Sequence, residues 1–588
     1  MGRIIVLVTP LFFLLIGVEY AWGRFKGRSP YRLNDAINSI SLGMLSQFSA
    51  VFLKVLNVGI YAAVFGWVAV YPHPEFWNTW YGWLIALLLY DFCYYWLHRL
   101  GHRSAVLWAA HVVHHQSQDY NLSTALRQTS SGALLGWVFY LPMALVGVPP
   151  LVFAAVALID LLYQFWVHTE LIPKLGWFDR WFCAPSNHRV HHAVNDRYLD
   201  KNFGGILIVW DRLFGSYQEE TEPCVYGTRA PLESWDPLWA NVEVYWSLLK
   251  DSWRTRRWGD KLLVWFKPPG WRPDDLARRD PKPAFDLARV QRFHPPASRL
   301  VLWLAALQFL LLLGGATRFL WFAERIPLTE SLVWLGVLVA GLWAVGALLQ
   351  GHIAVLELLM VDAAALAAAG TAVHLPLLYQ IGKPLPLALA VLFVVLSPRE
   401  SRAERQGDAL LVAALLASLT GDVLLMLPDR FVPGLAAFLF AHLCYLALFQ
   451  RSTARLRGVA AGTGREVAAV RSVWFPSRRA LLFTLGVGAA AYAYLWHGIG
   501  PGLRVPVAAY VLVIALMAAQ AIGRALLLGD RAAALVAVGA VLFMASDTLL
   551  AVDRFARPLP LASLWVLATY YAAQILIAHN ARAAAVGG

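Results

Sequence analysis

The sequence predicts an all-α, polytopic integral membrane protein, and three features of its composition support this fold class. The chain has 588 residues, of which 59% are hydrophobic and only 14% are charged, and its mean hydropathy is +0.56. Soluble domains are about 45–50% apolar and about 25% charged, so both fractions indicate a protein that lies in a bilayer. Aromatic residues reach 13%, as expected of helices with aromatic belts at both membrane interfaces.

The charge and the cysteines exclude other classes. The formal net charge is +13, but Lys and Arg lie in loops between apolar runs, which is the pattern that orients membrane helices. We therefore expect no nucleic-acid partner. The four cysteines lack CxxC spacing, so the sequence predicts neither a zinc knuckle nor a disulfide framework.

The first half alternates apolar runs with a polar segment. A membrane-spanning helix needs about 20 mostly apolar residues, and the run 4–22 predicts a retained N-terminal anchor helix. Further spans are predicted in 37–70 (one or two helices), 79–97, 132–148 and 150–167. Residues 170–297 are rich in Trp, Arg, Asp and Pro and contain no run long enough to span, which predicts a polar or interfacial cap.

The second half is an almost continuous series of apolar runs. The predicted spans are 298–316, 331–349, 352–370, 372–396, 409–427, 431–450, 479–497, 504–523, 531–551 and 560–579. We predict three segments: a membrane domain with its cap at 1–297, additional transmembrane helices at 298–372, and a second multi-helix membrane domain at 373–588. The Arg-containing loops 397–408 and 451–479 are predicted to face the cytoplasm.

Histidines are concentrated in the first half, where nine of the 16 fall between His98 and His192. They form one HxxxH motif, two HxxHH motifs and one single residue: His98, His102; His111, His114, His115; His188, His191, His192; and His168. Positions i, i+3 and i+4 of a helix share one face, so each cluster can present two or three imidazoles to one point. Three clusters can surround a pair of metal ions with nitrogen ligands, although imidazole suits iron, copper, nickel and zinc alike.

Haem binding, a structural zinc site and metal transport each explain the histidine pattern less well than a pair of metal ions does. A bis-histidine haem site needs two, and a structural zinc site normally uses four ligands, often including Cys. A metal transporter or sensor would have histidines and acidic residues along several helices through the bilayer. Here they are concentrated at helix ends and in the cap, just outside the hydrocarbon, where an acyl or alkyl chain could reach bound metals.

The three histidine motifs resemble those of the fatty acid hydroxylase and sterol desaturase superfamily of membrane di-iron oxygenases. Further segments, which cover about residues 1–290, are similar to the alkylglycerol monooxygenase family. They are Asp91 to His98, Asp119 to Gln128, Leu162 to Glu170 and Asp200 to Asp211. The resemblance implies that the eight motif histidines bind two iron ions, with His168 a ninth ligand or a neighbour of the ligands.

The same resemblance implies a reaction. Molecular oxygen would hydroxylate the ether-linked carbon of an alkylglycerol lipid, with electrons from tetrahydrobiopterin or another reduced donor, and the hemiacetal would release a fatty aldehyde. One residue departs from the family pattern, because Arg103 follows the second histidine where animal relatives have an acidic residue. This difference bears on the cofactor preference.

Several acidic residues near the motifs are candidates to orient the imidazoles, since carboxylates often hold metal-bound histidines. They are Asp91, Asp119, Glu170 and Asp196. Asp91 and Asp160 lie inside apolar runs, where an ionisable group faces either a functional interior or a helix-packing partner. Asn202, Gly204 and Gly205 predict a turn beside the metals.

The second half has few polar residues in its apolar helices, among them His442, and its motifs resemble the membrane lysoplasmalogenases, hydrolases of vinyl-ether lysolipids. The matching segments are Gly382 to Leu385, Leu419 to Met426, Phe431 to Tyr445 and Gly539 to Asp547. Vinyl-ether hydrolysis begins with protonation of the double bond, which suits a carboxylic acid kept neutral by an apolar setting. A second carboxylate can stabilise the cation or activate water, as around glycosidic bonds.

Asp422 and Asp547 are the predicted catalytic pair of this half. Lys383 either holds a lipid phosphate or neutralises one of the two carboxylates as a structural ion pair. The fusion would then join two activities on related ether lipids, with a bilayer and O₂ as the other partners. The alternative is a hydroxylase of fatty acids, sterols or carotenoids with a non-catalytic, lipid-binding second half. The predicted location is a bacterial inner (cytoplasmic) membrane, with the histidine site on the cytoplasmic side.

Overall fold

A computed structural model describes residues 2–28, 30–352, 379–380, 382–396, 402–463, 473–560 and 562–583. These residues form helices and connecting loops, with two isolated β-bridges, Phe182 to Leu207 and Ala193 to Tyr226. Nine of the described helices are long and apolar enough to cross a membrane. The predicted all-α, polytopic fold is therefore confirmed. The chain divides into two compact units, Met1–Gly351 and His352–Gly588.

The first unit contains five long helices that are predominantly apolar. They are α1 (Gly2–Phe25), α2 (Leu33–Val68), α3 (Trp80–Gly101), α7 (Arg299–Phe322) and α8 (Leu328–Leu349). The labels between α3 and α7 belong to shorter helices of the same unit. The run 37–70 forms a single helix of 36 residues. Helix α7 packs against α1 and α2, and α8 packs against α7 and α2. The predicted segment boundaries at 297 and 372 stay predictions.

Two predicted spans of the first unit were wrong, because neither 132–148 nor 150–167 forms a helix that can cross a bilayer. The first is broken into Gly132–Gly136, a 3₁₀ turn at Trp137–Tyr140 and Leu141–Val146. The second is α4 (Pro150–Tyr163), whose 14 residues extend about 21 Å, against a hydrocarbon core of about 30 Å. The two segments form a short hairpin instead.

Two residue types at the turn of this hairpin explain why the chain reverses its direction there. Gly147 ends the helix with φ of +105°, in the left-handed region, and Pro150 begins α4 two residues after Val148. The turn packs closely, since a Cβ on Gly147 would lie 2.4 Å from the carbonyl group of Tyr71. Tyr61 of α2 donates a hydrogen bond to the Val148 carbonyl at 2.9 Å, so the hairpin is fixed to a spanning helix.

The cap consists of short helices between α4 and α7, as the sequence predicts. It includes α5 (Pro185–His192), which carries the third histidine motif, and the amphipathic α6 (Pro237–Arg254). The remaining short helices of the unit are Pro74–Trp77, Ala105–Ala109, Leu122–Ala125, Phe178–Trp181, Val209–Leu213, Trp258–Phe266 and Asp274–Arg279, with 3₁₀ turns at Val112–His115 and Leu287–Arg289. Residues of α5 are all buried, so the cap covers this motif.

The second unit is a bundle of helices. They are α9 (Leu385–Leu396), α10 (Arg402–Met426), α11 (Phe431–Thr463), α12 (Arg478–Leu495), α13 (Arg504–Leu528), α14 (Arg531–Phe555) and α15 (Ala562–Ala583), with a 3₁₀ turn at Pro501–Leu503. Helix α11 continues past its predicted end at 450. The predicted span 352–370 and the first residues of 372–396 lie outside the described part of the chain.

The hairpin turn yields a stability prediction. Gly147→Ala should lower the free energy of unfolding by about 3 kcal/mol, because the new Cβ meets backbone atoms and the residue has a left-handed conformation. Gly176→Ala is the matched control: Gly176 also has a positive φ, but a Cβ there would meet nothing within 4 Å. It should cost only about 1 kcal/mol. Thermal unfolding in detergent measures both, and equal losses would contradict the packing explanation.

Two candidate active sites

The nine histidines of the sequence motifs meet in the first unit as two groups. Within each group, the nitrogen atoms available to a metal lie within 4.8 Å of one another. One group has five members: His98, His102, His111, His115 and His191. The other has four: His114, His168, His188 and His192. Each HxxHH motif contributes to both groups, so the two groups are neighbours.

Backbone carbonyls set the tautomer of four of these histidines. Their Nδ1 atoms lie 2.8–3.0 Å from carbonyl oxygens. The pairs are His98 with Phe203, His114 with Arg127, His168 with Gln164, and His191 with Lys201. A carbonyl oxygen only accepts, so Nδ1 carries the proton and, in a neutral ring, Nε2 has a free lone pair.

In the four-membered group, these lone pairs face one another. The Nε2 atoms of His114 and His168 are 3.2 Å apart, and neither carries a hydrogen to donate. The Nε2 atom of His168 also lies 3.1 Å from Nε2 of His188, which in turn lies 3.2 Å from Nε2 of His192. Facing lone pairs repel unless a cation lies between them, so this arrangement fits a bound metal ion.

The five-membered group has the same geometry. The Nε2 atom of His111 lies 3.1 Å from Nε2 of His98 and 3.0 Å from Nε2 of His115. One ring nitrogen carries either one hydrogen or one lone pair, and Nε2 of His98 has no hydrogen. Two nitrogens that bind one metal at right angles, each about 2.1 Å away, are about 3.0 Å apart. The donors of both groups therefore fit first-row metal ions.

Burial keeps the rings neutral. It lowers the pKa of His114 to about 4, and it lowers the pKa values of His188, His191 and His192 well below the ordinary value of imidazole. Neighbouring histidines lower these last three pKa values further. The imidazoles are therefore unprotonated near neutral pH, which is the form that binds metals.

The predicted carboxylates do not hold the imidazoles directly. Asp91 accepts hydrogen bonds from Ile206 N, Leu207 N and Trp210 Nε1 at 2.7–3.1 Å. It thus fixes the cap loop whose Phe203 carbonyl orients His98. Among the other candidates, Asp119 pairs with Arg32 and Asp196 with Arg229, whereas Glu170 is exposed.

The predicted turn at Asn202, Gly204 and Gly205 lies in the same loop. Asn202 adopts a left-handed φ of 54°, and its amide donates to the carbonyls of Asn187 and Gln218. A Cβ on Gly205 would lie 2.8 Å from Oδ1 of Asp160, so only glycine fits without displacement. Asp160 itself accepts a hydrogen bond from the Gln164 amide at 2.7 Å.

Sequence reasoning missed the role of Asp200. One carboxylate oxygen lies 3.7 Å from Nδ1 of His102, and the other lies 3.7 Å from Nε of Arg103. Arg103, the residue that departs from the family pattern, thus shares this carboxylate with His102. The segment that begins at Asp200 carries part of the family resemblance, but a contact across nearly a hundred residues has no local signal.

Two apolar cavities lead toward the histidines. One of about 300 Å³ is lined by His111, His114 and His168 and by side chains of α1, α2, α4 and α7. A second cavity, of about 490 Å³, shares Tyr140 and Leu161 with the first and continues between the hairpin and the same helices. Together they form an apolar passage that ends at both histidine groups.

In the second unit, the three predicted residues line one cavity of about 260 Å³. Lys383 lies with its ammonium 3.7 Å from one oxygen of Asp422, and Tyr570 donates to the other oxygen at 2.8 Å. Asp422 and Lys383 are both buried. The contact between Lys383 and Asp422 therefore supports the ion-pair alternative for Lys383.

The second carboxylate has different partners. Asp547 accepts a hydrogen bond from Tyr510 at 2.6 Å, and Nε2 of His442 lies 2.9 Å from the Tyr510 oxygen. His442 is recognisable in the sequence as an isolated polar residue, whereas sequence reasoning missed Tyr510 and Tyr570. Tyrosine is common in membrane helices, so nothing in the local pattern distinguishes these two.

Comparisons with known proteins agree with the resemblance predicted for each half of the chain. Residues 83–216 match the fatty acid hydroxylase family, and residues 378–581 match the YhhN family. Alkylglycerol monooxygenase of Homo sapiens is 40% identical over 267 residues, which cover 45% of this chain and 59% of that protein. The Danio rerio enzyme is 38% identical over 308 residues, covering 52% of this chain and 68% of the relative. No solved structure matches.

For the second half, lysoplasmalogenase TMEM86B of Homo sapiens is 37% identical over 196 residues, which cover 33% of this chain and 71% of that protein. The first half therefore carries a fatty acid hydroxylase domain. More narrowly, the chain belongs to the alkylglycerol monooxygenase family and is fused to a YhhN domain, as its motifs predicted. It spans 59% of the length of the human alkylglycerol monooxygenase.

The loop held by Asp91 yields a second prediction. Asp91→Ala removes the acceptor of three hydrogen bonds in a buried setting and should lower the free energy of unfolding by about 4 kcal/mol. The exposed Asp196→Ala, the control, should change it by less than about 0.5 kcal/mol. Thermal unfolding in detergent compares the two variants. If both unfold like the parent, Asp91 does not fix the loop.

Proposed function

We propose that the first unit is a di-iron monooxygenase that hydroxylates the ether-linked carbon of alkylglycerol lipids. One oxygen atom of O₂ enters the C–H bond next to the ether oxygen, and the other leaves as water with two electrons and two protons from a reductant. The resulting hemiacetal breaks its C–O bond to give a fatty aldehyde and a glycerol lipid. The observation that supports this proposal is the pair of histidine groups at the end of an apolar passage.

Each group of histidines would hold one iron ion through its ring nitrogens. Iron bound there would supply the activation of O₂. The chain itself supplies the positions of the donors, which backbone carbonyls and the Asp91 loop fix before any metal arrives. The apolar walls formed by α1, α2, α4 and α7 would bind the alkyl chain and exclude water, leaving the ether carbon at the histidine end.

The proposed reductant is tetrahydrobiopterin or another reduced donor. A polar cleft beside the cluster, lined by Asp35, Gln116, Arg127 and Trp235, has a volume of only about 20 Å³. This is room for about one water molecule, which needs about 10–15 Å³ of such space. These residues as they stand do not fit a pterin ring.

The second unit would hydrolyse vinyl-ether lysolipids. In this proposal one carboxyl group of the pair Asp422 and Asp547 donates a proton to the outer carbon of the double bond, giving an oxocarbenium ion. The other carboxylate takes a proton from water as the water oxygen bonds to the cationic carbon. The hemiacetal then breaks its C–O bond to the glycerol, which yields a fatty aldehyde and the chain-free glycerol with its headgroup. What supports this assignment is that both carboxyl groups line one apolar cavity.

The first functional prediction concerns metal. The parent protein, purified from iron-replete cells, should contain about two irons per chain. A triple variant, His111→Ala, His114→Ala and His115→Ala, should lose nearly all of it and all alkylglycerol oxidation, because it removes donors from both groups. His497→Ala, an exposed histidine of the second unit, is the control. Equal metal in parent and triple variant would overturn the proposal.

The second functional prediction separates the two units. Asp422→Asn and Asp547→Asn should each reduce vinyl-ether hydrolysis by about a hundredfold or more, since removal of a general acid or base costs about 10²–10⁴ in rate. Alkylglycerol oxidation by the same preparations should be unchanged. Asp530→Asn, which conserves a helix cap outside the cavity, is the control. Hydrolysis that persists in both variants would show that these two carboxyl groups are not its acid and base, as expected if this unit only binds lipid.

A further inference from the structure

We propose that Arg554, at the mouth of the second unit's cavity, binds the phosphate of a lysolipid headgroup. This inference rests on the proposed vinyl-ether hydrolysis and names the side chain that would recognise the headgroup of its lysolipid substrate. Two cationic residues line the described part of the cavity, Lys383 and Arg554. The two differ in whether they can accept an anion.

Lys383 is already occupied. Its ammonium lies 3.7 Å from Asp422 and 5.6 Å from the ring centre of Tyr379, and only 8% of the residue is exposed. A phosphate placed there would compete with the Asp422 carboxylate for the same charge and would have to be desolvated. The phosphate-binding alternative for Lys383 is therefore disfavoured.

Arg554 has the opposite properties. It is exposed, and its guanidinium lies over the ring of Phe431 at 3.9 Å and near that of Phe555 at 5.9 Å. Stacking on a ring holds the guanidinium plane and leaves its N–H edge free to bind phosphate through two hydrogen bonds. The adjacent carboxylate, Asp553, also lines the cavity, but one of its oxygens accepts a hydrogen bond from Leu559 N at 2.8 Å.

The spacing along α14 matches the substrate. Arg554 follows Asp547 by two helical turns on the same face, a rise of about 10.5 Å. In an extended lysolipid, seven covalent bonds separate the outer vinyl carbon from phosphorus, or about 9 Å. With the double bond beside the carboxyl pair, the phosphate would lie within reach of the guanidinium.

The ends of neighbouring helices also favour an anion at this position. The cavity is lined by Phe431, the first residue of α11, and by Ser563, in the first turn of α15. Helix N-termini carry partial positive charge and favour anions. The C-terminal end of α14 carries partial negative charge, which Arg554 in its last turn offsets.

The test uses the full chain in detergent and two vinyl-ether substrates. One is an alkenyl lysophosphatidylethanolamine, and the other is the alkenylglycerol that lacks the phosphate. Arg554→Gln should raise KM about tenfold or more for the phosphate-bearing substrate, since loss of one charge-assisted contact has an effect of about this size. It should leave kcat/KM for the alkenylglycerol within about twofold. Arg554→Lys should retain part of the affinity for the phosphate-bearing substrate, because it keeps the positive charge.

The control is Arg557→Gln, an exposed arginine beyond the end of the same helix that does not line the cavity. Equal losses on both substrates, or none, would overturn the inference, since stacking on Phe431 would then be the only role of Arg554. If the parent hydrolyses neither substrate, the proposed function fails. The phosphate site is then tested by thermal stabilisation with a non-hydrolysable alkyl lysophospholipid, the matching alkylglycerol and inorganic phosphate. Only the lysophospholipid should stabilise the parent more than Arg554→Gln; protection by phosphate alone would indicate an anion site without lipid specificity.

Discussion

The first unit depends on one electrostatic constraint, the convergence of imidazole lone pairs at two points. Four Nδ1 atoms donate to backbone carbonyls, which directs the corresponding Nε2 lone pairs into the clusters. The accepting carbonyls belong to the end of α4, to the loop before the hairpin and to the cap. Each of these elements therefore has to be in place before the donors are aligned. The buried Arg127 secures one of them, donating to the Val113 carbonyl at 2.7 Å and to Asn38 at 2.8 Å.

This arrangement links folding to metal binding. Burying neutral imidazoles with their lone pairs in contact costs free energy, which a bound cation would recover, so the metal would stabilise the fold that binds it. The cap contributes α5 with three of the nine donors. Removal of metal should consequently loosen the cap before it affects α1, α2, α7 and α8, which carry none of the nine histidines.

The sequence predicted the fold class and both families, and the residues that it singled out lie close together within each unit, because motif spacing and apolar runs are local signals. Predictions from the sequence were wrong where they concerned the length of a helix or contacts between residues far apart in the chain. The run 132–148 is as apolar as a spanning helix, but it is broken into two short helices by the 3₁₀ turn at Trp137–Tyr140. Likewise, Asp91 was expected to hold an imidazole, whereas it holds a loop more than a hundred residues away. Tyr510 and Tyr570 approach their carboxylates only through the packing of separate helices.

The two units solve a common physical problem in different ways. Each must bring polar reacting groups to the end of an apolar cavity without leaving them unpaired. The first uses neutral nitrogen donors held by backbone carbonyls, and the second uses carboxyl groups held by tyrosine hydroxyls and a lysine. Both proposed reactions end in a hemiacetal that releases a fatty aldehyde, which partitions into the bilayer because its chain is apolar. Such a product can reach one common consumer through the bilayer without any contact between the units.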